Sequence, residues 1–396
     1  MKVVYFTCME NTCNNDIHTN QVLSLLNHEV DYFMLFLSPK FILNKAGFSI
    51  NRHKFENKNV KEVKMPILSY HFGMHLFIIP YFILVSFIPF LFFINKVKPD
   101  VIHCRNLISS FLTVIVKKVF RKNYKIVCDP RSVYVEEQVI FHTFRNNGIN
   151  HRTWKKIEAW IYKNSDACLG LSENFADYLK SYNENSFYVP AVVSDSYSFS
   201  QERRQQLRQE KNLSNNDVVC CYIGSIGAWH SVDCLFESYE MIKQSLPPSK
   251  TMKILFLSGN TKACNRIKSS FSEEDIVFCG RVKPSEILDY LIMSDVGLVP
   301  GTDNKGDCYD LLYHTMISSK AEEYLGAGLP IVVNPRITSL VKMLKDINGG
   351  VEMKLPISLD HFSDRTIIAK YAHDNFSVAH VVSAYNRLYI NLFNRQ

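Results

Sequence analysis

The segment with the clearest chemical content is Ser318-Ser319-Lys320-Ala321-Glu322-Glu323-Tyr324-Leu325-Gly326-Ala327-Gly328-Leu329-Pro330-Ile331-Val332-Val333. Two serines open a short helix, glycines close it, and a proline leads into a β-branched run that reads as a buried strand. The first turn of a helix leaves N–H groups without partners, and the helix dipole favours an anion there. Lys320 adds a full positive charge at the same place, so the segment can hold a phosphate. Glu323 lies one turn further on and could accept hydrogen bonds from a diol such as a ribose. Glu322 reads more simply as an acid stabilising the helix dipole. A second stretch, Tyr222-Ile223-Gly224-Ser225-Ile226-Gly227-Ala228-Trp229-His230, follows an apolar run, and its glycines permit close backbone approach to phosphate.

Loops of this kind act from the carboxyl ends of strands, and the chain supplies strands in two series. In the first half, apolar runs at residues 3–8, 30–37, 100–104, 125–128, 167–171 and 187–189 read as strands. Helical patterns lie between them at about 107–120, 152–163 and 173–182. The polar stretch 200–216 (SQERRQQLRQEKNLSNN) then reads as a linker. Alternation restarts with strands at 218–223, 253–257, 276–278, 296–299 and 331–333, and helices near 234–244, 284–292, 319–325 and 338–344. The expected fold is α/β, with two doubly wound parallel-sheet (Rossmann-like) domains over residues 1–199 and 217–376, facing each other across a ligand cleft.

The charge is unevenly placed. Residues 1–200 carry 23 Lys and Arg against 16 Asp and Glu, whereas residues 201–396 carry 22 of each. Only the first half is therefore expected to meet an anionic partner. That half also contains residues 72–94 (FGMHLFIIPYFILVSFIPFLFFI), without one Asp, Glu, Lys or Arg. Pro80 and Pro89 interrupt this run, and strands flank it, and both observations argue against a simple span. It is either a crossover helix buried in its own domain or a helix at the membrane interface. The near absence of a polar face favours the interface. Residues 152–163 (RTWKKIEAWIYK) mix Trp154, Trp160 and Tyr162 with cations, a pattern suited to anionic headgroups. The short run after Lys2 is too brief for a signal peptide, which implies a cytoplasmic start. The 11 cysteines, scattered without a C-x-x-C pair, read as reduced core thiols.

The 318–333 segment resembles the donor-site motif of GT-B glycosyltransferases, especially the retaining family 4 enzymes, with Lys320, Glu323, Tyr324, Gly328 and Pro330 in step. Residues 275–300 resemble that family's strand, Gly-Arg, helix, Ser-Asp, strand block. Residues 100–105 (DVIHCR) resemble its acceptor-domain strand, 189–199 its hinge run, and 374–389 its last helix, which in the family crosses back onto the first domain. The resemblance implies donor contacts from Glu323, Gly224, Ser225, Gly227, Arg281, Ser319 and Tyr324. It also implies an acceptor side carrying Asn15, His103, Arg105, Glu136 and Glu137.

The departures from the family are equally informative. The usual diphosphate-binding Arg is Ser225 and no Lys follows it, so Lys320 and Arg281 must carry that charge. A second Glu found eight positions before Glu323 is Thr315 here. The family's His beside the reacting sugar is absent, and Cys128-Asp129-Pro130-Arg131 occupies that strand end. Asp129 and Arg131 either face the acceptor or serve the fold.

The function expected from this reading is sugar transfer from a nucleotide diphosphate sugar to a lipid-linked or polysaccharide acceptor in cell-surface polysaccharide biosynthesis. Lys320, Asp129 and Arg131 are the candidate catalytic residues. No cofactor and no metal is expected, because no Asp-x-Asp motif follows a predicted strand, and residues 301–315 read as a loop over the donor. The expected partners are the nucleotide sugar, a polyprenyl-linked or other glycan, and an anionic membrane surface through 72–94 and 152–163, with the protein peripheral on the cytoplasmic face. Nucleic acid is disfavoured. A nucleotide-sugar 2-epimerase and an inactive scaffold are the alternatives.

Overall fold

The computed structural model describes residues 1–8, 32–37, 61–66, 76, 79–359, 362 and 364–394. Asn15 lies outside these residues. The chain forms two units. The first comprises Met1–Val192 with Asp307–Thr315 and Val378–Gln396, and the second comprises Val193–Gly306 with Met316–Ser377.

In the first unit, continuous apolar runs build an all-parallel sheet. Its order is β3 (Lys61–Pro66), β2 (Tyr32–Leu37), β1 (Val3–Cys8), β4 (Val101–Arg105), β5 (Lys125–Asp129), β6 (Ala167–Gly170) and β7 (Ser186–Tyr188). The C-terminal helix Val378–Asn394 lays Val381, Tyr385, Leu388, Tyr389 and Leu392 against Val3, Tyr5, Val101 and Val127 of this sheet. β3 was not anticipated, because Lys61-Glu62-Val63-Lys64 has no continuous apolar run.

The second sheet is also parallel. Its order is β10 (Ile276–Gly280), β9 (Thr251–Leu257), β8 (Asp217–Ile223), β11 (Val296–Val299), β12 (Ile331–Val333) and β13 (Gly350–Glu352). Strand order reverses between β1 and β4 in one sheet and between β8 and β11 in the other. Those reversals are the places where doubly wound sheets open a crevice for ligand.

From Ile79 onward the apolar run lies in the helix Ile79–Val97, a crossover between parallel strands. Its Phe90 is buried and stacks on Phe6 of β1 at 4.9 Å, and Lys2 Nζ donates to Val97 O (2.8 Å). Because β1 pairs with β4, the strand after this helix lies beside the one that opens the chain. Among the described residues no helix is long and apolar enough to cross a membrane. One face nevertheless stays open: Leu84, Ile88 and Phe92, spaced by four, are 68%, 67% and 69% exposed.

Three expectations are corrected. The supposed linker begins with a helix, Gln201–Glu210, that belongs to the second unit. Ser200 caps it, Arg203 pairs with Asp289, and Arg204 and Arg208 both reach Asp295. Its polarity reflects ion pairing, which composition cannot tell from a solvated linker. The supposed loop over the donor is in large part a helix, Asp307–Thr315, that belongs to the first unit. There Ser172 Oγ donates to Thr315 O (2.6 Å) and Asn174 Nδ2 to His314 O (3.1 Å). Finally, the helix Ile149–Asn164 turns its aromatics inward. Trp154 and Tyr162, eight residues apart on one face, are fully buried, with Trp154 edge-on to Phe111 and Tyr134. Trp160 is the more open ring, at 37%.

Nine described cysteines are free thiols, eight of them buried.

Candidate active site

The second unit assembles most of the expected donor residues at its strand reversal. β8 ends at Ile223, and Gly224 turns the chain at φ 106°, a conformation that disfavours any side chain. Gly224, Ser225 and Gly227 are exposed. The loop they form is held from below: Tyr222 donates its hydroxyl proton to Ser225 O (2.6 Å), and Gly227 N donates to His230 O (3.0 Å).

The helix Ser319–Gly326 begins beside this loop. Elsewhere Asn106, Ser172, Ser231 and Asn260 cap their helices with side-chain oxygens, but Ser318 makes no such cap. Its hydroxyl instead accepts from Lys320 Nζ at 3.2 Å. Ala321 N donates to Ser318 O (2.8 Å), and the lack of a side-chain cap leaves the two N–H groups before it, at Ser319 and Lys320, for an anion. Lys320 Nζ sits 5.3 Å from the centre of the Tyr222 ring, and its Cε would lie 3.4 Å from a Cβ on Gly224. Among the described residues no carboxylate forms an ion pair with it. Burial lowers its pKa from 10.5 to about 8, against the opposing charge of Glu323.

His230 joins the loop to the end of β11. Its Nδ1 accepts from Gly301 N (3.2 Å), while Ser231 N donates to Gly301 O (2.9 Å). Burial, and then the charge of Lys320, hold its pKa well below the ordinary imidazole value, so the ring is neutral with its proton on Nε2.

The remaining donor candidates divide. Ser319 and Arg281 are exposed, and the Arg281 stem passes beside Gly259. Glu323 is half-buried and Glu322 buried. Tyr324 is a correction, since it is fully buried and faces the sheet. Its hydroxyl accepts from Ile223 N (3.0 Å), and its ring packs against Gly297 of β11. A Cβ on Gly297 would meet that ring at 2.5 Å. We expect Gly297→Ala to destabilise the protein by about 3 kcal/mol, because the pinned ring cannot yield. A urea midpoint unchanged from wild type would contradict this packing.

In the first unit, Asp129 ends β5 at 2% exposure. Its Oδ2 lies 3.4 Å from Arg131 Nη1 and 3.5 Å from His103 Nε2. His103 Nδ1 is 2.8 Å from the Tyr389 hydroxyl, and Arg105 donates to the Tyr5 hydroxyl (3.3 Å). Burial works to raise the Asp129 pKa, but Arg131, His103 and Arg105 outweigh it and hold the carboxyl at about 2. His103 and Arg105 are fully buried, so they brace Asp129 and Tyr5 from within and present no surface to an acceptor.

Glu136 pairs with Lys155 (2.8 Å), which also binds Glu158 and the Tyr178 hydroxyl. Burial, aided by Glu136 and opposed by a hydrogen bond from Ser132, pushes Glu137 up to about 7. Thr315 is buried, with its hydroxyl on Leu311 O (2.8 Å).

Sequence reasoning missed the roles of Tyr222 and His230, although both stand in the glycine stretch it singled out. It also missed Tyr5 and Tyr389. Tyr389 is 286 residues from its His103 partner, and no local pattern signals such a pairing. Cys234, Glu237 and Asp303 bring ligand atoms within 4.8 Å of one another. Burial foremost raises the Cys234 thiol to about 11, so it is protonated at neutral pH and a poor metal ligand there.

Two doubly wound parallel sheets, the second carrying a lysine and a glycine loop at its strand reversal, have the architecture of the GT-B fold. Residues 26–192 match the family described as Glycosyltransferase Family 4. The fold agrees with HepE of Anabaena solved with UDP, at TM-score 0.69 and 11% identity over 99% of this chain and 100% of that one. It also agrees with the sucrose-phosphate synthase of Thermosynechococcus elongatus (0.65, 12%, all of both chains). A third similar structure is the lipopolysaccharide outer core galactosyltransferase WaaB (0.62, 14%, 99% of each). No curated protein sequence matches the chain.

Proposed function

We propose that this chain transfers a sugar, with retention, from a nucleoside diphosphate sugar to a hydroxyl of a lipid-linked or polysaccharide acceptor in cell-surface polysaccharide biosynthesis. The observation that carries the reading is Lys320: an ammonium with no carboxylate in ion-pair contact among the described residues, at a helix start without a side-chain cap, beside an exposed glycine loop. HepE was solved with UDP-glucose as well as with UDP, and WaaB is described as a lipopolysaccharide outer core galactosyltransferase, which supports this substrate class.

In the reaction the bond from the anomeric carbon to the diphosphate breaks on the face where the acceptor oxygen bonds. The acceptor proton passes to the departing phosphate oxygen, so no strong protein base is required. Lys320, the N–H groups at Ser319, and the Gly224–Gly227 loop stabilise the leaving charge electrostatically, with no metal or other cofactor called for. Glu323 binds the ribose diol, and Asp129 with Arg131 shapes the acceptor side. The test is turnover of a panel of nucleotide sugars with membrane extract as acceptor source. Nucleotide binding without turnover would favour an inactive scaffold, and interconversion of the sugar itself would favour a 2-epimerase.

The same reading places the protein peripherally on the cytoplasmic face of an anionic membrane. The apolar stripe of Leu84, Ile88 and Phe92 supports it, as do exposed Val119 and Phe120 at the end of the next helix. Phe87 and Phe120 join the two helices (5.1 Å), and the cations Lys96, Lys98, Lys118, Arg121 and Lys122 lie in the same segments. We expect the triple change Leu84→Asp, Ile88→Asp and Phe92→Asp to lower co-sedimentation with phosphatidylglycerol vesicles at least about tenfold while the folded spectrum persists. Equal binding by wild type and variant would remove this surface from the reading.

A further inference from the structure

Tyr222 is fully buried, yet two separate features of the proposed donor site rest on it. Its hydroxyl donates to Ser225 O at 2.6 Å, which fixes the turn between Gly224 and Gly227. Its ring lies under Lys320 Nζ at 5.3 Å, and an aromatic face stabilises an ammonium at that range. The ring is itself immobilised, stacked on Phe256 at 5.4 Å and 14° and set edge-on to His230 at 6.2 Å.

We infer that Tyr222 is a positioning residue for the donor diphosphate, setting the phosphate loop with its hydroxyl and the place and charge of Lys320 with its ring. The inference rests on the donor-site reading above and adds to it how this chain manages without the usual loop cation. Where Ser225 stands in place of an arginine, a single ammonium carries the helix side of the site, and its location decides the affinity. Lys320 faces Glu323 from its own helix, neutral His230 from the loop, and the Tyr222 ring from β8. The ring stabilises the ammonium without neutralising it, which a carboxylate in the same place would do. Burial raises the phenol pKa well beyond the physiological range, so the hydroxyl remains a donor to Ser225 at every working pH.

The two contacts are separable. Tyr222→Phe keeps the ring and loses the loop bond. Tyr222→Leu keeps an apolar filler and loses both. The probe is whichever of UDP, GDP or ADP binds wild type most tightly, titrated calorimetrically between pH 6.5 and 9.5. The expected result is about three- to tenfold weaker binding for Tyr222→Phe with an unmoved pH midpoint. For Tyr222→Leu we expect weaker binding still, with the midpoint about half a pH unit or more lower. Variants that bind as wild type, or a midpoint that stays put in Tyr222→Leu, overturn the inference. The same holds if the loss in Tyr222→Phe disappears once its folded fraction is corrected for by thermal unfolding. A wild type that binds none of the three nucleotides overturns the donor-site reading itself, and this inference with it.

Discussion

Lys320→Ala is expected to lower donor turnover by about a hundredfold or more, because it removes the ammonium proposed to meet the leaving diphosphate. The pH dependence makes the expectation sharper. The Lys320 pKa falls from 10.5 to about 8 in the folded protein, with burial as the main cause. Nucleoside diphosphate binding needs the charged form, so affinity falls as pH rises through about 8. Folding stability moves the other way. A lysine whose folded pKa is depressed binds fewer protons folded than unfolded between about 8 and 10.5, so stability rises across that window. Below it the full cost of the buried charge is present, and bound diphosphate offsets that cost. Calorimetry with UDP and urea unfolding over the same pH range should therefore give opposite slopes. Lys320→Met should flatten both. Parallel slopes, or a variant that keeps either one, would falsify the assignment of Lys320 to the diphosphate.

Asp129→Ala is expected to destabilise the first unit by about 3–5 kcal/mol, because Arg131, Arg105 and His103 then surround a buried site without its anion. Asp129→Asn keeps the shape and some hydrogen bonding, and should cost less. The carboxyl pKa is depressed to about 2, so its stabilisation is present above the ordinary value of 3.8 and lost as pH falls through about 2. An acid titration of wild type and Asp129→Asn, followed by near-ultraviolet dichroism, reads this difference directly. If Asp129→Ala is as stable as wild type yet inactive, Asp129 acts on the acceptor alone and the anchoring role is wrong.

Much of the proposed donor site was legible in the sequence because its parts are local. Lys320, Ser319 and Glu323 share one short helix, and Gly224 to Gly227 one turn, so residue type and spacing carried the reading. Tyr324 falls in the same motif but points the other way. Three residues after Ala321 and two before Gly326, it lies on the buried side, and its hydroxyl is taken by Ile223 N. Spacing placed it on the helix without saying which face met the sheet. The 72–94 run was ambiguous for a related reason. Its composition shows no polar face, yet Phe90 packs on Phe6 while Leu84, Ile88 and Phe92 stay exposed.

Polar segments misled in the opposite sense. Residues 201–210 look like a linker until Arg203, Arg204 and Arg208 are seen on Asp289 and Asp295, which are more than 80 positions away. The helix Asp307–Thr315 looks like part of the second unit in chain order, but its packing partners belong to the first.

By itself the sequence determined the two parallel-sheet series, the glycine loop and the lysine-bearing helix, because periodicity, turn residues and caps are properties of neighbours along the chain. The tertiary structure alone decided that Tyr222 lies beneath Lys320, that His230 ties the loop to Gly301, and that Tyr389 reaches His103. It also decided which unit receives residues 307–315. Those outcomes depend on side chains brought together over long separations, where packing and desolvation, rather than local propensity, select the partner.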